Sequence, residues 1–187
     1  MRWNGSSRRA EVLQAAVDLL DEVGLDALTT RRLAARLGVQ PGALYRHYPS
    51  KRALLDAVAE RIVVETAPDT PPEGDWAEQL RHIAGSMRRG MLAHRDGARL
   101  MATLTVPGDA AVAAFQRLVD LLRRAGATPD AAVVGVDTVI CYVNGFTVEE
   151  QARGGAPGER RDQGFAAGLE LILHGIAARL LAKANDP

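Results

Sequence analysis

Apolar residues recur every three or four positions almost from end to end of this 187-residue chain, and that period specifies helices. Val12, Ala16, Leu19 and Val23 fall at i, i+4, i+7 and i+11, one face of a helix that Gly24 stops. Thr29 or Thr30 caps a short second helix with Leu33, Ala34 and Leu37 inward and Gly38 at its end. A third starts near Pro41, a residue tolerated in a first turn, and runs through Leu44 to about His47. Pro49 breaks it. Ser50 then caps a fourth helix, about 50–65, with Leu54, Leu55, Val58 and Ile62 on its inner face.

The stretch from Ala67 to Gly74 holds three prolines and reads as a loop. Trp76, Leu80, Ile83, Met87 and Met91 form the next stripe, and a shorter helix covers Gly97 to Leu104. Asp109 caps the following one, whose inward residues are Val112, Phe115, Val119 and Leu122, with Gly126 as its stop. Thr128-Pro129-Asp130 combines a cap, a first-turn proline and an acid at the positive dipole end, and opens a helix to about Gln151. Gly154 to Gly158 is a loop, and a last helix spans roughly Asp162 to Ala184. No strand-like alternation and no internal repeat appears. The expectation is an all-α chain of about nine or ten helices.

Several classes fall away. The N-terminus has no apolar signal-like core, and no apolar run approaches the ~18 residues of a membrane span, since the best candidate, Val133 to Val148, contains Asp137 and Asn144. A single cysteine, Cys141, excludes an internal disulfide and suits a reducing cytoplasm. His47, His82, His94 and His174 lack zinc-ligand spacing, no phosphate loop is present, and neither a metal, a cofactor nor an enzymatic activity is expected.

Charge is balanced overall, at 23 basic and 23 acidic residues, but unevenly placed. Residues 1–52 carry nine Lys/Arg against five acids, and the rest 14 against 18, so the N-terminal segment is the one suited to a polyanion. That segment also holds the sharpest motif. Two short helices joined by a tight turn at Gly38-Val39, with a third before them, make a three-helix DNA-binding arrangement whose second short helix enters the major groove. Tyr45, Arg46, His47, Arg31 and Lys51 all donate hydrogen bonds, and the helix start at Thr29-Thr30 offers free backbone N–H groups to a phosphate. Helical hairpins of this size also occur in bundles that touch no DNA.

The run Leu28-Thr29-Thr30-Arg31-Arg32-Leu33-Ala34-Ala35-Arg36-Leu37-Gly38-Val39, followed by Leu44-Tyr45-Arg46-His47-Tyr48 and Lys51-Arg52-Ala53-Leu54-Leu55, resembles the N-terminal domain of TetR-family transcriptional repressors. Leu92-Ala93-His94-Arg95-Asp96-Gly97-Ala98 and Phe165 to Ile172 resemble the C-terminal domain of the tetracycline-repressor branch of that family. The resemblance implies a helix-turn-helix domain over 1–52, the fourth helix as connector, and a ligand-binding and dimerisation domain over 66–187. It implies a cytoplasmic homodimer that holds a palindromic operator and releases it on binding a small apolar or aromatic inducer. Thr30, Tyr45, His47 and Lys51 would meet phosphates; Arg31, Gln40, Pro41, Gly42 and Ala43 would lie at base edges. Arg46 stands where the tetracycline repressor has tryptophan, and Gly42 and Ala43 where it has proline and threonine, so a different operator is expected.

The positions that hold a magnesium–drug chelate in that branch fall here on Ile83, Met87 and Met101, and a drug-contacting glutamine falls on Leu118. A thioether is a poor partner for Mg²⁺, which takes oxygen ligands, so an apolar, methionine-lined cavity is expected instead. Taken singly, Ile83, Met87 and Leu118 suit plain core as well. Asp137, Cys141 and Asn144 lie at i, i+4 and i+7 on an apolar helix, where they either orient a ligand, face solvent or meet a partner subunit; Val136 and Ile140 join them as candidate lining. The last helix has a second, small-residue face, Gly164, Gly168, Leu171, Gly175 and Ala178, and with the 130–150 helix it suits a four-helix subunit contact. The alternative is an all-α small-molecule binding protein without specific DNA binding. A weaker one is an enzyme using Asp137 as acid or base.

Overall fold

A computed structural model describes residues 5–66, 73–154 and 158–178. Nine helices and no strand occur among them: α1 Gly5–Val23, α2 Thr30–Arg36, α3 Pro41–Leu44, α4 Lys51–Thr66, α5 Trp76–Ala93, α6 Gly97–Ala102, α7 Asp109–Arg124, α8 Pro129–Ala152 and α9 Glu159–Ile176. The expected end of the last helix, and most of the loops at 67–74 and 154–158, lie outside the described residues.

The stops act through backbone conformation. Gly24, Gly38 and Gly126 sit at φ +80°, +65° and +107°, the left-handed region that a β-carbon disfavours. The starts are side-chain caps: Thr29 accepts from the Arg32 N–H, Ser50 from the Ala53 N–H and Thr128 from the Ala131 N–H. Asp75 heads α5 with a full capping box, closed by Glu78. One expectation needs correction: Asp109 is the first helical residue of α7, and Gly108 occupies the cap without a side chain. The cap is supplied from elsewhere. Glu60 of α4 accepts the Ala110 and Ala111 N–H groups at 2.6 and 3.2 Å, where the orphan donors and the helix dipole both favour a carboxylate.

Burial falls into two clusters. Leu20 and Val12 of α1, Leu33 of α2, Leu44, and Leu54, Val58 and Ile62 of α4 gather in one, joined by Leu100 from α6. Leu80 and Met91 of α5, Leu118 and Leu122 of α7, Val136, Val139 and Val143 of α8, and Phe165 and Leu169 of α9 form the other. Helix α4 belongs to the first and packs on α5, α6 and α7 as well as α1, so it lies between the two. The α1–α2 corner is also tied to the α5–α6 turn. Asp96, in the left-handed region at φ 58°, accepts the Leu25 N–H at 2.8 Å; Asp21 accepts the Arg95 N–H; and Arg99 pairs with Asp26 at 2.6 Å.

Helix α8 ends within one residue of where the sequence places it, but it is more apolar over its length than the Val133 to Val148 run suggests. Its 24 residues, with a window of mean hydropathy 1.6, have the length and composition of a membrane span. Its neighbours α5, α6, α7 and α9 account for one side of it, and Val134, Thr138, Cys141 and Gly145 leave the other exposed. At its far end a buried ion cluster clamps three helices. Arg88 of α5 grips both oxygens of Glu150 at 2.8 and 2.7 Å and reaches Asp162 of α9 at 2.7 Å, with its guanidinium 5.0 Å from the Phe165 ring centre.

Candidate DNA-reading surface and ligand cavity

The turn between α2 and α3 is closed by the backbone: the Val39 N–H donates to the Ala34 carbonyl at 3.0 Å, which the left-handed Gly38 permits. Helix α3 is shorter than expected, ending at Leu44, but hydrogen bonds from the Arg46 and His47 N–H groups carry the coil through a further turn. Leu44 and Tyr48 anchor this segment inward, Tyr48 donating its hydroxyl to the Arg9 carbonyl at 3.3 Å. With those two pointing in, Tyr45 and Arg46 point out. Thr29, Arg31, Gln40, Pro41, Gly42, Tyr45, Arg46 and Lys51 are exposed, and Thr30, Ala43 and His47 half-buried.

Charge pairing sorts the basic residues. Arg36 is held by Glu22 at 2.7 Å and Arg52 by Asp56 at 2.7 Å, which keeps both charges neutralised in the chain. Arg31, Arg46 and Lys51 have no ion pair among the described residues. Their charge remains for a polyanion. At Gly42 a β-carbon would meet nothing within 4 Å, so the glycine leaves a bare patch of backbone at the front of α3.

The second feature is a half-open cavity of about 950 Å³ between α4, α5, α6, α7 and α8. Ile83 and Met87 line it from α5, Met101 from α6, Leu118 from α7, and Asp137, Ile140 and Asn144 from α8. Val136 does not. It is fully buried in the second core cluster, one residue and so ~100° round the helix from Asp137, and its assignment to the lining is corrected. Cys141 of the same stripe faces outward. Val112, expected inward, is 56% exposed at the cavity edge.

Other lining residues escaped the sequence reading. Ile62, Val63 and Thr66 bring in the C-terminal end of α4, Phe115 adds an aromatic face, and Arg117 and Arg124 place two guanidinium groups at the α7 wall. Ile62 carried a signal, since it was already on the inner stripe of its helix; the arginines carried none beyond their spacing of seven. One polar atom inside is orphaned: the Asn144 Oδ1 is buried without a hydrogen-bond partner. Such an atom is costly unless something donates to it.

A magnesium-held ligand does not fit these walls. Met101 presents a thioether where the tetracycline-repressor resemblance places a metal-binding histidine, and no group of three or more His, Cys, Asp or Glu residues that could hold a metal occurs among the described residues.

Cavity and candidate DNA-reading surface meet along α4. Arg52 donates to the Thr103 carbonyl and Asp56 accepts the Thr105 N–H at 3.2 Å; with the Glu60 cap, three residues at i, i+4 and i+8 hold the segment 103–111 that joins α6 to α7. Leu104, Pro107 and Ala111 of that segment line the cavity.

Comparison with known proteins follows the same division. The family model described as bacterial regulatory proteins, tetR family, matches residues 12–58, and that of the tetracyclin repressor-like C-terminal domain matches 67–164. The class A tetracycline repressor from transposon 1721 of Escherichia coli is 38% identical over 93% of this chain and 92% of its own. Among solved structures, the Q116A variant of TetR from Acinetobacter baumannii AYE in complex with minocycline superposes with a TM-score of 0.82 at 36% identity, covering 95% of this chain and 98% of that one. BioQ with its natural double-stranded DNA operator gives 0.80 at 36% identity, covering 91% and 98%.

Proposed function

We propose that this chain, which belongs to the TetR family of bacterial regulatory proteins, is a cytoplasmic, homodimeric repressor that a small apolar or aromatic molecule releases from a palindromic operator. The family consists of transcriptional regulators, not enzymes. In this reading residues 1–52 read DNA, α4 connects, and 66–187 bind ligand and partner. The observation that carries it is the shared helix: α4 starts beside the unpaired cations of the DNA-reading surface and ends in the wall of the cavity.

Thr29, Thr30, Tyr45, His47 and Lys51 supply phosphate contacts, which fix register without reading sequence. Arg31 and Arg46 suit guanine edges, Gln40 suits adenine, and Pro41, Gly42 and Ala43 let the backbone approach the groove floor. Two copies place two such surfaces about one helical turn, ~34 Å, apart on the duplex. The exposed faces of α8 and α9 support pairing of copies, with Leu171 78% exposed beside small residues that permit close helix approach. Inside the cavity, a donor on the ligand satisfies Asn144, and methionine and aliphatic walls adapt to its shape. Release requires only that ligand bind the two dimer geometries unequally, with ~1–3 kcal/mol a usual coupling.

The test is selection of bound duplexes from a random pool with purified protein and no added ligand. A palindrome with half-sites one turn apart is the expected product. Enrichment of no sequence at moderate salt, from protein shown by mass spectrometry to carry no bound small molecule, overturns the reading in favour of a sensor without specific DNA binding.

A further inference from the structure

The cavity walls differ in charge. Three charged residues of α7 line it: Arg117, Asp120 and Arg124. Asp120 is engaged along its own helix, accepting from Gln116 at 3.1 Å and lying 3.7 Å from Arg123, a residue that does not line the cavity. That leaves Arg117 and Arg124 without an ion pair among the described residues, both exposed, two turns apart on one helix face. The opposite wall offers Asp137 as its single ionisable group, against two guanidiniums. Everything between is apolar or neutral, and burying apolar area there rewards a hydrophobic body.

We propose that the ligand of this cavity is an amphipathic organic anion, its apolar body buried between α5, α7 and α8 and its carboxylate or other anionic group held at the mouth by Arg117 and Arg124. A guanidinium is always charged and presents a planar fork of donors, so it takes an oxyanion by charge-assisted hydrogen bonds and gains nothing from a neutral ligand of the same shape. The proposal rests on the cavity being the ligand site, and the experiment separates the two.

Two fluorescent probes of nearly one skeleton serve, 8-anilinonaphthalene-1-sulfonate and its uncharged counterpart N-phenyl-1-naphthylamine. Each is titrated against the full chain and its variants at one salt concentration. Arg117→Gln with Arg124→Gln weakens the sulfonate about tenfold, the size of one charge-assisted contact at a partly wet site, and leaves the neutral probe within about twofold. Arg153→Gln removes the same charge from an exposed site outside the cavity and changes neither probe. Equal loss of both probes in the double variant, no loss of the sulfonate, or an equal effect of Arg153→Gln overturns the anion proposal. Leu118→Trp fills the cavity and abolishes binding of both; Ile83→Trp does so if the first fails to fold by circular dichroism. Unchanged binding of both probes to a folded tryptophan variant means that they sit elsewhere, which overturns the cavity reading and the proposal with it.

Discussion

Removing Arg88 is the most demanding test of how the sensing bundle holds together. Its guanidinium is the hydrogen-bond partner of both Glu150 oxygens, and the Glu150 side chain is only 1% exposed. Those bonds also hold the Arg88 guanidinium above its usual range, so it stays charged at any working pH. Arg88→Met therefore strands a buried carboxylate, and such a loss costs about 3–5 kcal/mol. The second partner adds little, because Asp162 is 60% exposed and a solvent-screened pair contributes about 0–1 kcal/mol. For a chain of this size each kcal/mol moves the midpoint by about 2–4 °C, so Tm falls by roughly 6–20 °C. Melts are followed by circular dichroism at matched protomer concentration, since dimerisation makes Tm concentration-dependent. Arg88→Lys keeps the charge but loses the two-point grip, and falls between. The decisive variant is Arg88→Met with Glu150→Met, which removes both charges from a site already flanked by Phe146 and Phe165. Its stability returns to within about 2 kcal/mol of wild type, because an apolar replacement of a buried pair is often neutral. A single variant that melts with wild type, or a double variant as unstable as the sum of the singles, refutes the assignment of the cost to a stranded charge.

Three further outcomes follow from particular contacts. Glu60→Ala deprives α7 of its only side-chain cap among the described residues and lowers stability by about 1–2 kcal/mol in urea titration, while Glu60→Gln, which keeps an acceptor, loses less. Lys51→Ala, which on the proposed function removes two phosphate contacts per dimer, flattens the slope of log K against log salt on a selected operator by about 1.8; Arg36→Ala, whose cation is already paired with Glu22, leaves the slope unchanged. Tyr142 donates its hydroxyl to the Phe165 carbonyl at 2.8 Å, and burial raises its phenol above the ordinary 10.0. The neutral form is favoured by folding, so its contribution is complete below the unfolded pKa and lost as pH rises through the folded one; the 295 nm titration difference between wild type and Tyr142→Phe has its midpoint above that of free tyrosine.

Local chemistry was legible and distant chemistry was not. Gly24, Gly38 and Gly126 end their helices in the left-handed region, and Thr29, Ser50 and Thr128 start theirs, because a cap involves partners three residues away. The cap of α7 comes from Glu60, some fifty positions earlier, and no local pattern announces it. Arg88 and Glu150 likewise read as ordinary polar-face residues of two helices and meet only because α5 crosses α8 there. Helix phase limited the cavity. On α5 an amphipathic stripe put Ile83 and Met87 on one side without ambiguity. Helix α8 is apolar nearly all round, so periodicity cannot fix which side faces the cavity, and Val136 was assigned with Asp137 although the two point in different directions.

The contacts on α4 restrict how a bound ligand can reach the DNA-reading surface. Sixteen residues make α4 a rod of ~24 Å, beginning at Lys51 and ending with Ile62, Val63 and Thr66 in the cavity wall. A rod anchored at one point would pivot about it, and a ligand pressing on its end would move it against α6 and α7. Here Arg52, Asp56 and Glu60 hold residues 103–111 at three points along two turns, one of them a buried carboxylate on a helix N-terminus. Sliding α4 past that segment breaks charge-assisted bonds in sequence, each worth more than a neutral one. Moving α4 and 103–111 together breaks none of them. The same segment carries Leu104, Pro107 and Ala111 into the cavity, so ligand touches both halves of the paired unit. The motion with least resistance is therefore a joint displacement of α4 with the α6–α7 connection. On the proposed function, that displacement would carry Lys51, and with it the helix-turn-helix, away from the spacing that a fixed pair of half-sites demands.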